Sequence, residues 1–93
     1  MKRKPWNIIF HELIGLPVRV RYSWDPSLQG LEGRVYWETT RTILINVGDR
    51  LVRVVKPGTV FEFYLEEYGW VPVRGDHLLG TPGERAKRLV RVR

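Results

Sequence analysis

LEGRVYWETTRTILINVGDRLVRVVKPGTVFEFYL, residues 31–65, carries the clearest structural signal in this 93-residue chain. Apolar side chains alternate with polar ones in LEGRVYWE and again, after the polar break at residues 39–41, in ILINV. Period-two alternation is typical of a β-strand that buries one face. Tight turns at Gly48-Asp49 and Pro57-Gly58 separate the following runs LVRVV and TVFEFYL. We therefore predict three consecutive antiparallel strands. The side chains expected in their core are Leu31, Val35, Trp37, Ile43, Ile45, Val47, Thr59, Phe61, Phe63 and Leu65.

Shorter strands are predicted on either side of this stretch. Alternation over residues 18–22 predicts the first strand, and residues 71–73 and 77–79 predict two more near the other end. Pro72 has no backbone N–H to donate, so its strand is expected at a sheet edge. Gly33 within a strand indicates a sharp bend or a closely approaching backbone. Because closure removes exposed edges, we expect a mainly β fold: a small, strongly bent antiparallel barrel.

Short helices are predicted at both ends. Asn7 is a candidate N-cap for a helix over residues 8–14, which Gly15 would end. Thr81 followed by Glu84 is the pattern of a capping box at the start of a C-terminal helix. The chain is thus expected to be one domain with three parts: a basic N-terminal arm and short helix at 1–16, the barrel at 17–80, and a basic C-terminal helix and tail at 81–93.

Composition narrows the function classes. The chain has no cysteine, which excludes disulfides and thiolate metal sites. No apolar run reaches the roughly 18 residues that a membrane span needs, and the basic start lacks the apolar segment of a secretory signal. We therefore expect a cytoplasmic protein with no membrane partner.

The net charge of +6 is concentrated at the two ends, because residues 5–83 sum to −1. A near-neutral globule with basic ends indicates a polyanionic partner such as RNA. Twelve of the sixteen basic residues are arginine, whose planar guanidinium grips phosphate and stacks on bases. Trp6, Trp24, Tyr36 and Trp70 are either exposed stacking platforms or loop packing. The candidate RNA-binding residues are Lys2, Arg3, Lys4, Arg19, Arg21, Arg41, Arg85, Lys87, Arg88, Arg91 and Arg93.

A catalytic site is not indicated. His11 and Glu12 are adjacent, so on a helix their side chains diverge by about 100°. His77 follows a turn, and the neighbours Glu66 and Glu67 have no evident apolar pocket to raise a pKa. We interpret these groups as surface or structural, and expect no catalytic residue, no metal ligand and no cofactor in this chain.

Apolar residues of the terminal segments exceed what a small barrel core needs. Such a surplus indicates either a docking surface for a partner protein or plugs for the open barrel ends. The candidate partner-interface residues are Ile8, Ile9, Leu13, Ile14, Leu89 and Val90.

Four stretches together resemble one known family. They are NIIFHELIGL (7–16), DPSLQGLEGRVYWETTRTILI (25–45), KPGTVFEFYL (56–65) and LLGTPGERAKRL (78–89). In this order and spacing they resemble archaeal ribonuclease P protein component 1, the subunit with an Sm-like, or SH3-like, barrel. Gly30 and Gly33 match the glycines of that family's bent strand. The turn at 40–42 departs from the more Asn- or Lys-rich turn common in the family.

The resemblance implies a non-catalytic RNA-binding subunit. In this family the RNA component removes the 5′ leader from precursor tRNA with Mg²⁺. The expected partners are the ribonuclease P RNA, precursor tRNA indirectly, and a zinc-ribbon protein subunit as heterodimer partner. Two alternatives remain open: a ring-forming Sm-like RNA chaperone, and an SH3-like protein-interaction adaptor without an RNA role.

Overall fold

Six strands form one antiparallel sheet within residues 3–91, the part of the chain that the computed structural model describes. They are β1 (Pro17–Tyr22), β2 (Glu32–Glu38), β3 (Thr42–Asn46), β4 (Leu51–Val55), β5 (Val60–Leu65) and β6 (Gly69–Arg74). The order in the sheet is β4-β3-β2-β1-β5-β6. The mainly β, barrel-like antiparallel architecture is confirmed. The sheet has six strands, and among these residues β4 and β6 are its ends, not a hydrogen-bonded pair.

Residues 31–65 contain four strands, not the three predicted, because the polar break at 39–41 reverses the chain. The Thr39 amide donates to the Thr42 carbonyl (2.9 Å), and the Thr42 amide donates to the Thr39 hydroxyl (3.1 Å). These bonds close a tight turn between β2 and β3. In the sequence, the polar residues 39–41 resembled an interruption within one strand. They form instead the turn of a hairpin between β2 and β3.

A β-bulge in β2 reverses the facing of its last residues. Val35 pairs with Ile45, but Trp37 pairs with Leu44 and Glu38 with Ile43, so one residue is inserted between Val35 and Trp37. An extra residue exchanges the two faces of the strand. Trp37 is consequently 56% exposed, and Glu38 is only 4% exposed. The prediction that Trp37 lies in the core was wrong for this reason.

The core lies between the curved inner faces of the strands. As predicted, Phe61, Phe63 and Ile43 are buried, and Phe61 and Phe63 stack with ring centroids 6.0 Å apart. Gly33 lies where a Cβ would collide with the carbonyl oxygen of Asn46 on β3. The close backbone approach predicted at Gly33 is therefore present. Pro72 lies on β6, at one end of the sheet, as its missing N–H required.

The N-terminal segment contains one 3₁₀ turn at Ile8–Phe10 instead of the predicted helix over 8–14. Asn7 makes no side-chain cap to this turn; its side-chain oxygen accepts from the Lys4 amide (2.7 Å). β-Branched isoleucines favour helix weakly, and the carbonyls of Ile9 and His11 bind a side chain from elsewhere in the fold. These tertiary contacts are therefore the reason why residues 8–14 do not form a regular helix.

The end of the sheet also differs from the prediction. Residues 77–79 were expected to form a strand, but Gly75–Leu78 is a 3₁₀ turn. The Gly75 amide donates to the Thr59 carbonyl (2.7 Å), and a Cβ at this glycine would overlap the Lys56 backbone. This contact turns the chain out of the sheet directly after β6.

The C-terminal helix α1 spans Pro82–Arg91. Its predicted capping box is present: the Thr81 amide donates to Glu84 Oε1 (2.8 Å), and the Glu84 amide donates to the Thr81 hydroxyl (3.3 Å). Among residues 82–88 the buried side chain is Arg85, while Lys87 and Arg88 are exposed. The helix therefore faces the barrel with an arginine.

Candidate nucleic-acid interface

The outer face of β1, β5 and β6 combines arginine with aromatic side chains. Cross-strand pairing places Arg19 beside Glu62, and Glu62 beside Pro72. One row away, Tyr64 on β5 pairs with Trp70 on β6. Residues paired across antiparallel strands share a face. These side chains point away from the core because their neighbours along each strand point into it.

Two arginines on this face share one carboxylate. Arg19 Nε donates to Glu62 Oε1 (2.7 Å), and Arg21 NH1 lies 3.4 Å from Glu62 Oε2. The Arg19 and Arg21 side chains remain 37% and 59% exposed. The group therefore carries net positive charge on an accessible surface, which favours a polyanionic ligand.

Aromatic rings hold Arg19 in place. Its guanidinium carbon lies 4.1 Å from the centroid of the Trp70 ring, in cation–π contact. Tyr64 meets Trp70 edge to face, with centroids 5.5 Å apart, and is itself 40% exposed. A guanidinium fixed between a carboxylate and an indole loses less side-chain entropy when it binds phosphate.

A groove of about 490 Å³ continues this basic region toward the N-terminal segment. Lys4 Nζ lies 5.3 Å from the ring centroid of Trp6, and Trp6 meets Tyr68 edge to face at 5.9 Å. Arg3 Nε donates to the Glu12 carbonyl (3.0 Å). The groove is lined by Arg3, Lys4, Gly15, Leu16, Pro17, Arg34, Tyr64, Leu65, Glu66, Glu67 and Tyr68. Its charged lining consists of the cations Arg3, Lys4 and Arg34 and the carboxylates of Glu66 and Glu67.

The other predicted RNA-binding residues are dispersed. Arg41 is exposed at the turn between β2 and β3, and Lys87 and Arg88 are exposed on α1. Lys2 and Arg93 lie outside the described residues, and so does the side chain of Arg91. The outer face of β1, β5 and β6 thus brings Arg19 and Arg21 together, whereas Arg41, Lys87 and Arg88 lie on other elements.

The prediction that Arg85 binds RNA is corrected by the structure. Its side chain is 1% exposed and is not available to RNA in this fold. Arg85 NH1 donates to Glu38 Oε1 (2.7 Å) and NH2 to Glu38 Oε2 (3.2 Å). Its remaining donors reach backbone carbonyls of Ile9 (2.7 Å), His11 (3.0 Å), Leu78 (3.1 Å) and Gly80 (2.7 Å). A buried guanidinium is tolerated when its charge and donors are satisfied in this way.

Lys56 completes the buried cluster. Its ammonium donates to Glu38 Oε1 (3.0 Å) and to the carbonyls of Thr39 (2.7 Å) and Gly80 (3.0 Å). All three ammonium protons are thereby used. Burial lowers the pKa of Lys56 from its ordinary value, while the hydrogen bond and charge of Glu38 oppose that shift. The Glu38–Lys56–Arg85 cluster joins β2, the β4–β5 turn, α1 and the N-terminal segment.

Two of the predicted partner-interface residues belong to the core. Ile8 and Leu13 are 1% and 0% exposed, so in this fold they are not available to a partner. The barrel core was not complete without them, which is why the estimate of a surplus was wrong at these positions. Ile9 and Ile14 are partly buried against the core. The side chains of Leu89 and Val90 lie outside the described residues.

The sequence is similar to known proteins along nearly its whole length. The family model described as ribonuclease P/MRP, subunit p29, matches residues 6–88. The chain belongs to this family. Ribonuclease P protein component 1 of Hyperthermus butylicus is 48% identical over 94 residues, covering 100% of this chain and 85% of that protein. Its counterpart in Staphylothermus marinus is 44% identical over 92 residues, covering 98% of this chain and 100% of that protein.

A solved structure agrees with the p29-family assignment. It is described as Mth11, a homologue of human RNase P protein Rpp29, and is 41% identical with a TM-score of 0.59. The match covers 81% of this chain and 97% of that chain. The resemblance inferred from the four sequence stretches is therefore confirmed.

The His, Asp and Glu side chains in the described part of this p29-family chain do not cluster. No three His, Asp or Glu side chains within it form a group that could hold a metal ion. Burial, and next the nearby Arg3 charge, lower the pKa of His11. Across the described residues, no helix has both the length and the apolar character to cross a membrane.

Sequence reasoning missed several residues of the interface and of the cluster beneath it. Glu38 was expected on the polar face of a strand, and no local pattern indicated the bulge that buries it. Lys56 entered only as the first residue of the stretch KPGTVFEFYL, one of the four that resemble the family. Tyr64 and Arg74 were not considered, although alternation with the buried Phe63 and Val73 placed both on the outer face.

Proposed function

We propose that this chain binds the RNA component of ribonuclease P and stabilises its fold, so that the RNA removes the 5′ leader from precursor tRNA. Membership of the p29 family supports a subunit role. The observation that carries the RNA-binding role is the pair Arg19 and Arg21, which share the single carboxylate of Glu62 on an exposed face. The chain would act within the ribonuclease P holoenzyme and would contribute no catalytic residue.

Phosphate can replace Glu62 as the partner of these arginines at small cost. A partly exposed ion pair contributes at most about 1 kcal/mol, because water already solvates both charges. A phosphate offers the same bidentate geometry to a guanidinium as a carboxylate does. Each contact also releases counterions from the RNA, which adds a favourable, salt-dependent term.

The same electrostatics gives the subunit its effect on the RNA. Folded RNA needs cations to offset the repulsion among its phosphates, and Mg²⁺ supplies most of them in the absence of protein. The arginines on this face, together with the other cations Arg3, Lys4, Arg41, Lys87 and Arg88, would replace part of that diffuse cation layer. The Mg²⁺ used in the reaction would be held by the RNA rather than by this chain.

Protein partners follow from the same assignment. A zinc-ribbon subunit is proposed as the heterodimer partner, docking beside the N-terminal segment where Ile9 and Ile14 are partly buried. Precursor tRNA would be reached through the RNA component, and the complex would function in the cytoplasm. The buried Arg85 would keep this docking surface in place by holding the carbonyls of Ile9 and His11.

A matched pair of double variants tests the RNA-binding role. Arg19→Gln with Arg21→Gln removes the proposed contacts; Arg50→Gln with Arg53→Gln removes two exposed arginines at the far side of the sheet. Binding of ribonuclease P RNA is measured at several salt concentrations. The first variant should flatten the log K versus log salt slope by about 1.4–1.8, at about 0.7–0.9 per contact, and the second much less.

Cleavage of precursor tRNA provides the second measurement. In a reconstituted holoenzyme, the Arg19/Arg21 double variant should require more Mg²⁺ for half-maximal cleavage than the Arg50/Arg53 control. Equal salt slopes and equal Mg²⁺ requirements for the two variants would refute the assignment of this face. Absence of any RNA binding by the unmodified chain would refute the proposed function itself.

A further inference from the structure

Trp24 is the most exposed of the large hydrophobic side chains in the described part of the chain, at 78%, yet the residues beside it form several hydrogen bonds. Asp25 Oδ1 accepts hydrogen bonds from the Ser27 amide (3.0 Å) and the Ser27 hydroxyl (2.7 Å). The Asp25 amide in turn donates to the hydroxyl of Ser23, which is buried (3.1 Å). Both neighbours of the tryptophan are thereby fixed, so its backbone is held in one orientation.

The indole ring of Trp24 also contacts the backbone of the β4–β5 turn. A Cβ at Gly58 would overlap Nε1 of Trp24, so the ring edge lies directly against the backbone of the β4–β5 turn. Gly58 has φ +76°, in the left-handed region that favours glycine. The turn thus presents bare backbone to the ring. The ring is supported at one edge, while most of its surface is open.

Arg74 is linked through Asp76 to the same β4–β5 turn. The Gly58 amide donates to Asp76 Oδ1 (2.9 Å), and Asp76 Oδ2 lies 3.5 Å from Arg74 NH2. The Arg74 side chain is 68% exposed. Arg74 pairs across the sheet with Val60, and Val60 pairs with Tyr22, which is 47% exposed. An open indole, a second exposed ring and an available guanidinium are therefore brought to one end of the sheet.

We infer that Trp24 is a stacking platform for an unpaired RNA base whose phosphate binds Arg74. This inference rests on the proposed function and assigns it a second contact, separate from the Arg19–Arg21 face. Aromatic rings accept any base through its π-face, and an adjacent arginine supplies the charge that the backbone requires. A pre-ordered ring loses little entropy on binding, which favours this use over a purely structural one.

The test compares two strands of equal charge: a ten-nucleotide oligoadenylate and a ten-unit strand of ribose phosphates without bases. The full chain is used with the variants Trp24→Ala, Trp24→Phe and Arg74→Gln. Trp37→Ala is the matched control, because Trp37 is an exposed indole (56%) on β2, outside the loop that carries Trp24. Thermal unfolding of each variant verifies that the fold is retained.

The platform predicts a distinct pattern. Trp24→Ala should weaken oligoadenylate binding at least about five-fold, leave binding of the base-free strand unchanged, and keep the salt slope. Trp24→Phe should retain most of the affinity, and Trp37→Ala should change the binding of neither strand. Arg74→Gln should weaken binding of both strands and flatten the slope by about 0.7.

Three results would overturn the platform. The first is unchanged binding of oligoadenylate by Trp24→Ala. The second is an equal loss of affinity by Trp24→Ala for oligoadenylate and for the base-free strand. The third is no binding of oligoadenylate by the unmodified chain. If in any of these cases the chain still binds ribonuclease P RNA, the platform fails while the proposed function stands. If the chain binds neither oligoadenylate nor ribonuclease P RNA, both fail.

Discussion

Glu38 accepts two hydrogen bonds from Arg85 in the interior of the protein, at 2.7 Å and 3.2 Å, although the two residues are 47 positions apart in sequence. The same carboxylate accepts from Lys56 at 3.0 Å. One buried anion is thus shared by two buried cations. The pairing matters for the proposed function because it removes Arg85 from the surface and uses it to assemble the fold.

Replacing Glu38 by Gln should destabilise the protein by about 3–5 kcal/mol, because it leaves two buried cations without a counter-charge. Glu32→Gln is the matched control: Glu32 lies on the same strand but is exposed, so its effect should stay within about 0.5 kcal/mol. Urea denaturation measures both. Similar midpoints for the two variants would show that the cluster does not require this charge.

Replacing Arg85 by Met should release the N-terminal segment. The guanidinium is the donor to the carbonyls of Ile9 and His11, and Met supplies similar bulk without any donor. Amide hydrogen exchange should accelerate at Phe10 and His11, while Ile43 and Ile45 on β3 remain comparatively protected. Arg88→Met, an exposed change on the same helix, should leave exchange in the segment as it is. Unchanged amide exchange in the Arg85 variant would show that Arg85 does not hold the N-terminal segment in place.

Alkaline pH should favour the folded state through Lys56. Burial lowers the pKa of Lys56 below 10.5, so between the lowered pKa and 10.5 the unfolded chain binds more protons than the folded one. Stability rises with pH wherever that is true. The free energy of unfolding of the unmodified chain, minus that of Lys56→Gln, should therefore increase as the pH is raised toward 10.5, since other groups cancel in the difference. A difference that does not vary with pH would disprove the expectation.

Acid should weaken the cap of α1. Hydrogen bonds from Thr81 lower the pKa of Glu84 below 4.5, so this contribution to stability is present above pH 4.5 and is lost as pH falls through the folded-state pKa. Glu84→Gln keeps an acceptor oxygen but does not titrate. The Tm difference between the unmodified chain and this variant should be constant near neutral pH and shrink below about pH 4.5. A constant difference down to strongly acidic pH would argue against the charged cap.

Adding a methyl group at Gly33 should destabilise the sheet. The Cβ of alanine would collide with the Asn46 carbonyl, and relief requires movement of two strands, at a cost of about 1–3 kcal/mol. Gly83→Ala is the control, since nothing lies within 4 Å of a Cβ there. In the helix it should add about 0.5–1 kcal/mol of stability. Thermal unfolding of both variants provides the measurement; stabilisation by Gly33→Ala would exclude the close approach.

Local patterns predicted most of the strands because their cause is local. Alternation in residues 59–65 reflects one face against a core, and the buried Phe61, Phe63 and Leu65 follow it directly. The capping box at Thr81 and Glu84 involves residues three apart, so it too could be recognised in the sequence. Ends of elements were harder to predict. The helix expected over 8–14 and the strand over 77–79 gave way to 3₁₀ turns that tertiary contacts hold.

By itself, the sequence determined the mainly β architecture, the basic character of the ends and the family to which the chain belongs. It also placed Arg19 and Arg21 together, because residues two apart on a strand share a face. Only the tertiary structure decided which arginines face solvent. A one-residue bulge turns Glu38 inward, and a buried carboxylate must find cations wherever the chain can supply them. Arg85, by composition a member of the basic tail, is therefore drawn into the core, while Trp37 is turned out to the surface.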